Sequence, residues 1–245
     1  MVKGSKQRRT DTPARILDVA ERLAQRQGYN GFSYADVAAE LQVTTASLHY
    51  HFAGKAELGR AMITRYTERF LEALTAIDAR VPAAPARLAA YAALYAGVLR
   101  EQRLCLCGML AAEYQTLPEG MREAVLGFFD ANEAWLSRVL EDGRAAGELR
   151  FAGSPQDAAR MIVAGLEGAM LLARPYGDTA RFQSAAQQLL QGFSGAAGSD
   201  GPTWPGGAPP AALSSMGSHP AEPRAARRPV RRSPQGKRPY PQRGG

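Results

Sequence analysis

Two runs of the chain hold residue types whose spacing suits them for chemistry. The first is Thr44, Thr45, Ala46, Ser47, Leu48, His49, Tyr50, His51 and Phe52, with Lys55 three residues on. Hydroxyls, an imidazole, a phenol and an ammonium in that order suit base edges and phosphate oxygens. They follow Ser33-Tyr34-Ala35-Asp36-Val37-Ala38, and together residues 33–52 have the pattern helix, tight turn, helix. Ser33 with Asp36 reads as a capping-box variant that opens the first helix, and Thr44 caps the second. Ala38 is small where two helices cross, and Leu41, Val43 and Leu48 pin the turn. In a helix-turn-helix the second helix lies in the major groove with its N-terminal residues at base edges. Short Thr44, Thr45, Ala46 and Ser47 would bring that helix axis close, His49 and Tyr50 would reach bases or phosphates, and Ser33 joins the set. Lys55 opens the next helix, where a phosphate would dock. The same spacing fits an ordinary αα-hairpin with polar caps, so the residues alone leave two readings.

The second run is Arg103-Leu104-Cys105-Leu106-Cys107-Gly108-Met109. A thiol at a helix N-terminus beside an arginine is favoured as thiolate. Cysteines two apart on a helix point to different sides, so they do not readily bond each other. The alternative is two small buried hydrophobes, the usual fate of a free cysteine. No further run offers catalysis: there is no Gly-x-Ser-x-Gly, His-Glu-x-x-His, phosphate loop or Gly-x-Gly-x-x-Gly. The three histidines are His49 and His51 in the first run and His219 far downstream, and with two cysteines they make a zinc cage nearly untenable. No catalytic residue, metal or cofactor is expected.

The elements that must position these residues are helices. Across 13–193 apolar residues recur at helical spacing between caps and breakers, and no convincing period-2 strand intervenes, so the class is all-α. Nine helices are expected, with the sixth running from about Leu104 to Leu117. The 245 residues are 45% hydrophobic and 22% charged, ordinary for a globular chain, and no run approaches a membrane span. The basic N-terminus leads into no apolar segment, and two cysteines suggest a reducing, cytoplasmic setting. Residues 1–60 carry nine basic and six acidic side chains, 61–193 thirteen and fifteen, and 194–245 eight and two. Basic ends around a near-neutral middle suggest a polyanion. The last stretch holds ten of the sixteen prolines and little aliphatic periodicity, and is expected to be a disordered tail. Its arginines Arg224, Arg227, Arg228, Arg231 and Arg232 would hold nucleic acid loosely or serve only as a solvated appendage.

Gly28-Tyr29, Ser33, Val37-Ala38, Leu41, Val43-Thr44 and Ser47 to Phe52, with Lys55 and Leu58, resemble the N-terminal signature of the TetR/AcrR family of one-component repressors. Gln42 stands where a turn glycine is common, so it must tolerate a left-handed conformation. Ala46 and His49 replace frequent glycine and tyrosine, which bears on the operator read. The resemblance implies a basic arm (1–11), a three-helix DNA-binding domain (12–57), a helical effector-binding and dimerisation domain (58–193) and the tail (194–245). It implies a homodimer through helices eight and nine, on a partly palindromic double-stranded operator, in the cytoplasm at the nucleoid. Gly165, Gly168 and Ala169 would allow close approach there, with Leu166, Met170, Leu189 and Phe193 as apolar surface or as intrachain core. A small-molecule effector would lie among helices four to seven and swing the fourth. Tyr66, Tyr95, Met109, Tyr114, Phe128, Phe129 and Trp135 are candidate walls, or simple core. Such a lining favours a hydrophobic or aromatic effector. A cysteine near Cys105 recurs in members that sense electrophiles. An activator on the same fold, or a nonspecific nucleic-acid binder, are the alternatives.

Overall fold

Local capping divides the chain into helices where the apolar stripes begin and end. A computed structural model describes residues 12–193; the expected arm and tail lie outside the described residues. Nine α-helices are present among them: α1 Thr12–Gln27, α2 Tyr34–Leu41, α3 Thr45–His51, α4 Lys55–Arg80, α5 Ala84–Arg100, α6 Leu106–Ala112, α7 Glu119–Ala145, α8 Pro155–Ala173 and α9 Thr179–Gln191. Short 3-10 turns follow α6 (Tyr114–Thr116) and α8 (Arg174–Tyr176). Side-chain oxygens of Ser33, Thr44, Ser154 and Asp178 accept from backbone N–H groups at the starts of α2, α3, α8 and α9. None of the described helices is long and apolar enough to cross a membrane.

Helix α6 is shorter than expected. Glu113 leaves helical geometry at φ −105° and ψ 11°, and its carboxylate instead accepts from the backbone N–H of Tyr29 at 2.6 Å and Asn30 at 3.3 Å. Those are free donors past the end of α1, and a carboxylate satisfies them better than a further helical turn would.

Helices α1 to α3 form a small head around Ile16, Val37, Ala38 and Leu48, all buried. The remaining helices build a larger bundle in which α8 packs along α7 and α9, and α5 meets α9. The long α4 belongs to both, burying Leu58 and Met62 near the head and Phe70, Leu74 and Ile77 in the bundle. A second tie is ionic. Glu21 of α1, only 2% exposed, accepts from Arg69 at 2.7 and 2.9 Å and from Arg65 at 3.2 Å. Burial outweighs Arg69, Arg65 and Arg103 and holds its carboxyl above the usual range.

A clasp from the bundle surrounds the end of α1. Besides Glu113, Arg103 donates to the Gln25 side chain at 2.8 Å and the Leu104 N–H to the Gln25 carbonyl at 3.2 Å. Asn30 donates to Thr116 at 2.7 Å, and Arg174 donates to the Arg26 carbonyl. Both flanks of α6 therefore grip residues 25–30.

Candidate nucleic-acid interface and effector core

The turn between α2 and α3 is closed by Gln42 at φ 57° and ψ 43°, the left-handed conformation its position demands. Leu48 is buried and anchors α3, while Thr44, Thr45, Ala46, His49 and Tyr50 lie exposed and Ser47 is half-buried. Tyr50 is 80% exposed, an unusual position for so large a ring without a partner surface. The His49 ring rests on Tyr34 with centroids 4.7 Å apart, and its Nδ1–H donates to the Ala53 carbonyl at 3.1 Å. A carbonyl can only accept, so Nδ1 carries the proton and Nε2 is left for another partner. Ser33 spends its hydroxyl on the Asp36 carboxylate at 2.7 Å, within a complete capping box.

Lys55 corrects the expectation of a phosphate contact. Its ammonium turns inward and donates to the carbonyls of Tyr29 and Phe32, both at 2.5 Å. It also sits 4.3 and 4.5 Å from the centroids of those two rings. Burial lowers its pKa despite the nearby Glu113 and Asp36 carboxylates. The backbone carbonyls of Tyr29 and Phe32 in the 28–32 corner need a donor, and Lys55 supplies it. Lys55→Ala is therefore expected to destabilise the head by about 1–3 kcal/mol. Urea denaturation checks the loss, and the salt dependence of DNA binding by the folded fraction should stay as in the parent.

The bundle interior brings together some of the expected pocket residues. Phe70 is the hub, with ring centroids of Tyr66, Tyr91, Tyr95 and Phe128 at 6.3, 6.0, 6.1 and 5.2 Å. Trp135 stacks on Tyr91 at 5.6 Å and donates to Asp78 at 2.9 Å. The Tyr91 hydroxyl donates to the Asn132 side-chain oxygen at 2.9 Å and lies 3.1 Å from the Tyr95 hydroxyl. Phe129 is half-buried and packs edge-on against Phe128 at 5.4 Å. Tyr114 does not belong to this cluster: it lies on the 3-10 turn by the clasp, with Arg122 6.0 Å from its ring. Met109 is half-buried, its sulfur accepting from Arg174 at 3.8 Å.

Of the two readings of the cysteines, the structure takes the small buried hydrophobe over the reactive thiolate. Cys105 caps α6 but is 1% exposed, and Cys107 is 0% exposed. Burial, then the Glu167 carboxylate, pushes the Cys105 thiol well up, and the same two influences act in the same direction on Cys107. Arg103 cannot offset this, because its guanidinium is engaged by Glu101 at 2.5 Å and by Gln25. The Cys105 sulfur instead accepts from the Tyr66 hydroxyl at 3.7 Å, and its N–H donates to the Met170 sulfur at 3.1 Å.

Phe70, Tyr91, Asn132 and Glu167, which the structure gathers in this interior, were not singled out from the sequence. A signal existed for the last: from Met161 to Ala173 the sequence of α8 carries one charged residue, Glu167.

On α8 and α9 the expected interface divides. Leu166, Met170 and Phe193 are core residues, at 0, 1 and 1% exposed. Gly165 allows close approach within the chain, since a Cβ there would lie 2.6 Å from Leu189. Gly168 faces open space, and Met161, Leu171 and Leu172 are 54, 59 and 71% exposed.

A helix-turn-helix head on a helical bundle with an aromatic interior defines a one-component regulator, and comparison with known proteins agrees. Residues 16–62 match the family model for bacterial regulatory proteins of the tetR family, and 84–189 match the tetracyclin repressor-like C-terminal domain. A TetR-family regulator structure from Agrobacterium tumefaciens is 31% identical, with a TM-score of 0.73, covering 76% of this chain and 99% of that one. The transcriptional repressor NemR of Escherichia coli K12 is 29% identical over 67% of this chain and 84% of its own. The transcriptional regulator AcuR of Cereibacter sphaeroides is 28% identical over 63% of this chain and 72% of its own. The chain belongs to the TetR family. It is a DNA-binding transcriptional regulator, not an enzyme.

Proposed function

We propose that this regulator is a repressor whose head binds a partly palindromic operator and lets go when a small ring-bearing molecule enters the bundle interior. The observation that carries the DNA contact is the exposure of Thr44, Thr45, Ala46, His49 and Tyr50 along α3, above the single buried anchor Leu48. The name of the NemR relative supports repression. In this reading residues 12–57 are the DNA-binding domain and 58–193 the effector and dimerisation domain. The dimer forms through α8 and α9, with Met161, Gly168, Leu171 and Leu172 as the α8 contribution. That face repeats at helical spacing and leaves large apolar groups in water unless a second copy covers them. The clasp on residues 25–30 supports coupling, because a shift of α6 moves the end of α1 with it. A buried, protonated Cys105 favours an effector that binds reversibly over one that alkylates the thiol.

Footprinting on the DNA flanking its own gene tests the whole reading: a two-fold protected site that survives competitor DNA is expected, and uniform, competitor-sensitive protection overturns it. Thr45→Ala or His49→Ala should change the preference among operator variants by ~1–3 kcal/mol per lost base contact. Tyr50→Ala should weaken binding to all variants alike. Intact binding with all three changed would end the assignment of α3 as the reading helix.

A further inference from the structure

Glu167 is the one charge on the inner stretch of α8, and its carboxylate points into the bundle. The carboxylate lies beside the Cys105 thiol, while Oε1 is enclosed and has no hydrogen-bond partner among the described residues. On the other side it abuts the α6 backbone at Gly108, where an added Cβ would lie 2.8 Å from the carboxylate carbon. Any side chain at 108 would evict it. Arg103 and Arg174, the basic residues flanking this part of the bundle, are turned to other partners. Glu167 is half-buried, but Oε1 faces the interior, and an enclosed carboxylate oxygen normally has a donor or a cation beside it. Through Cys105 it adjoins Tyr66, and through Tyr66 the faces of Phe70 and Phe128.

We infer that Glu167 is the recognition group for a positively charged effector, a small organic ammonium whose charge pairs with Oε1 and whose apolar part packs on the Tyr66, Phe70 and Phe128 rings. An ammonium supplies the missing partner, and aromatic faces favour a cation through their quadrupole. This inference rests on the bundle interior being the effector site, and it adds the charge of the occupant.

The test titrates the full chain, by calorimetry and by release from operator DNA, with 2-phenylethylammonium and with neutral 2-phenylethanol. The ammonium is expected to bind at least tenfold more tightly than the alcohol. Glu167→Gln, which keeps the side-chain shape, should abolish that preference while leaving the weak binding of the alcohol unchanged. Gly108→Ala, which pushes the carboxylate aside, should reduce the preference in the same way. Equal affinity for the two probes, or an undiminished preference in Glu167→Gln, overturns the charge assignment and leaves the interior as the effector site. Failure of both probes to bind overturns the charge assignment and the interior site together.

Discussion

Glu21→Ala is expected to cost about 3–5 kcal/mol of folding stability, the range for stripping one partner from a buried ion pair. Glu21 receives Arg69 and Arg65 from α4 while almost wholly buried. Removing it leaves two half-buried guanidinium groups side by side, with Asp18, 2.8 Å from Arg65, as partial compensation. The loss should therefore fall near the lower end of the range. Glu21→Gln keeps the hydrogen bonds and should cost less. Replacing Glu21, Arg65 and Arg69 together by leucine and methionine should restore most of the stability, because the desolvation of all three charges disappears with them. What the triple variant should lose is definition of the angle between α1 and α4, read as weaker operator binding at a melting temperature near the parent's. Chemical denaturation of the four proteins, each paired with a gel shift, checks the set. A Glu21→Ala variant as stable as the parent would show that the triad does not hold the head.

The second large effect is a pH dependence. Burial raises the Glu167 carboxyl from 4.5 to about 7, with the Cys105 hydrogen bond as the opposing influence. Between those values the unfolded chain has released the proton and the folded chain still holds it. Stability attributable to Glu167 is thus full below about pH 4.5 and falls as pH rises toward 7. The drop is on the order of 3 kcal/mol. The ionisable groups facing it from α5 and α6 are Tyr91, Tyr95, Cys105 and Cys107, all held protonated through this window by their own raised values. Glu167→Gln should equal the parent below about pH 4.5 and exceed it at pH 8. Urea denaturation at four pH values measures the difference directly, and parallel curves for the two proteins would contradict it.

The helices were legible because their signals are local. Ser33 and Thr44 cap in the structure where the sequence places caps, and Gln42 takes the left-handed turn that its position requires. The errors concern partners far apart in sequence. Lys55 reads as a free cation at a helix start until Tyr29 and Phe32 fold back over it. Helix α6 reads as long because nothing near Glu113 announces the unpaired N–H groups of Tyr29 and Asn30. Cys105 looks activated by Arg103 only until burial and Glu167 are counted. Leu166 and Met170 have the same spacing whether they face a second copy or the core, and only the placement of α7 and α9 decides between them.

The grip on residues 25–30 also limits how such regulators can be recombined. A hybrid sensor is naturally cut at the start of α4, joining one protein's head to another's bundle. In this chain that cut separates Gln25 from Arg103 and Leu104, and Tyr29 and Asn30 from Glu113 and Thr116. It also splits Glu21 from Arg65 and Arg69. A working exchange has to carry residues 101–116 and the outward turns of α4 along with the head. The unit of inheritance for DNA preference in this protein is thus discontinuous in sequence, and hybrids built on that patchwork should respond to effector where simple end-to-end fusions bind DNA without responding.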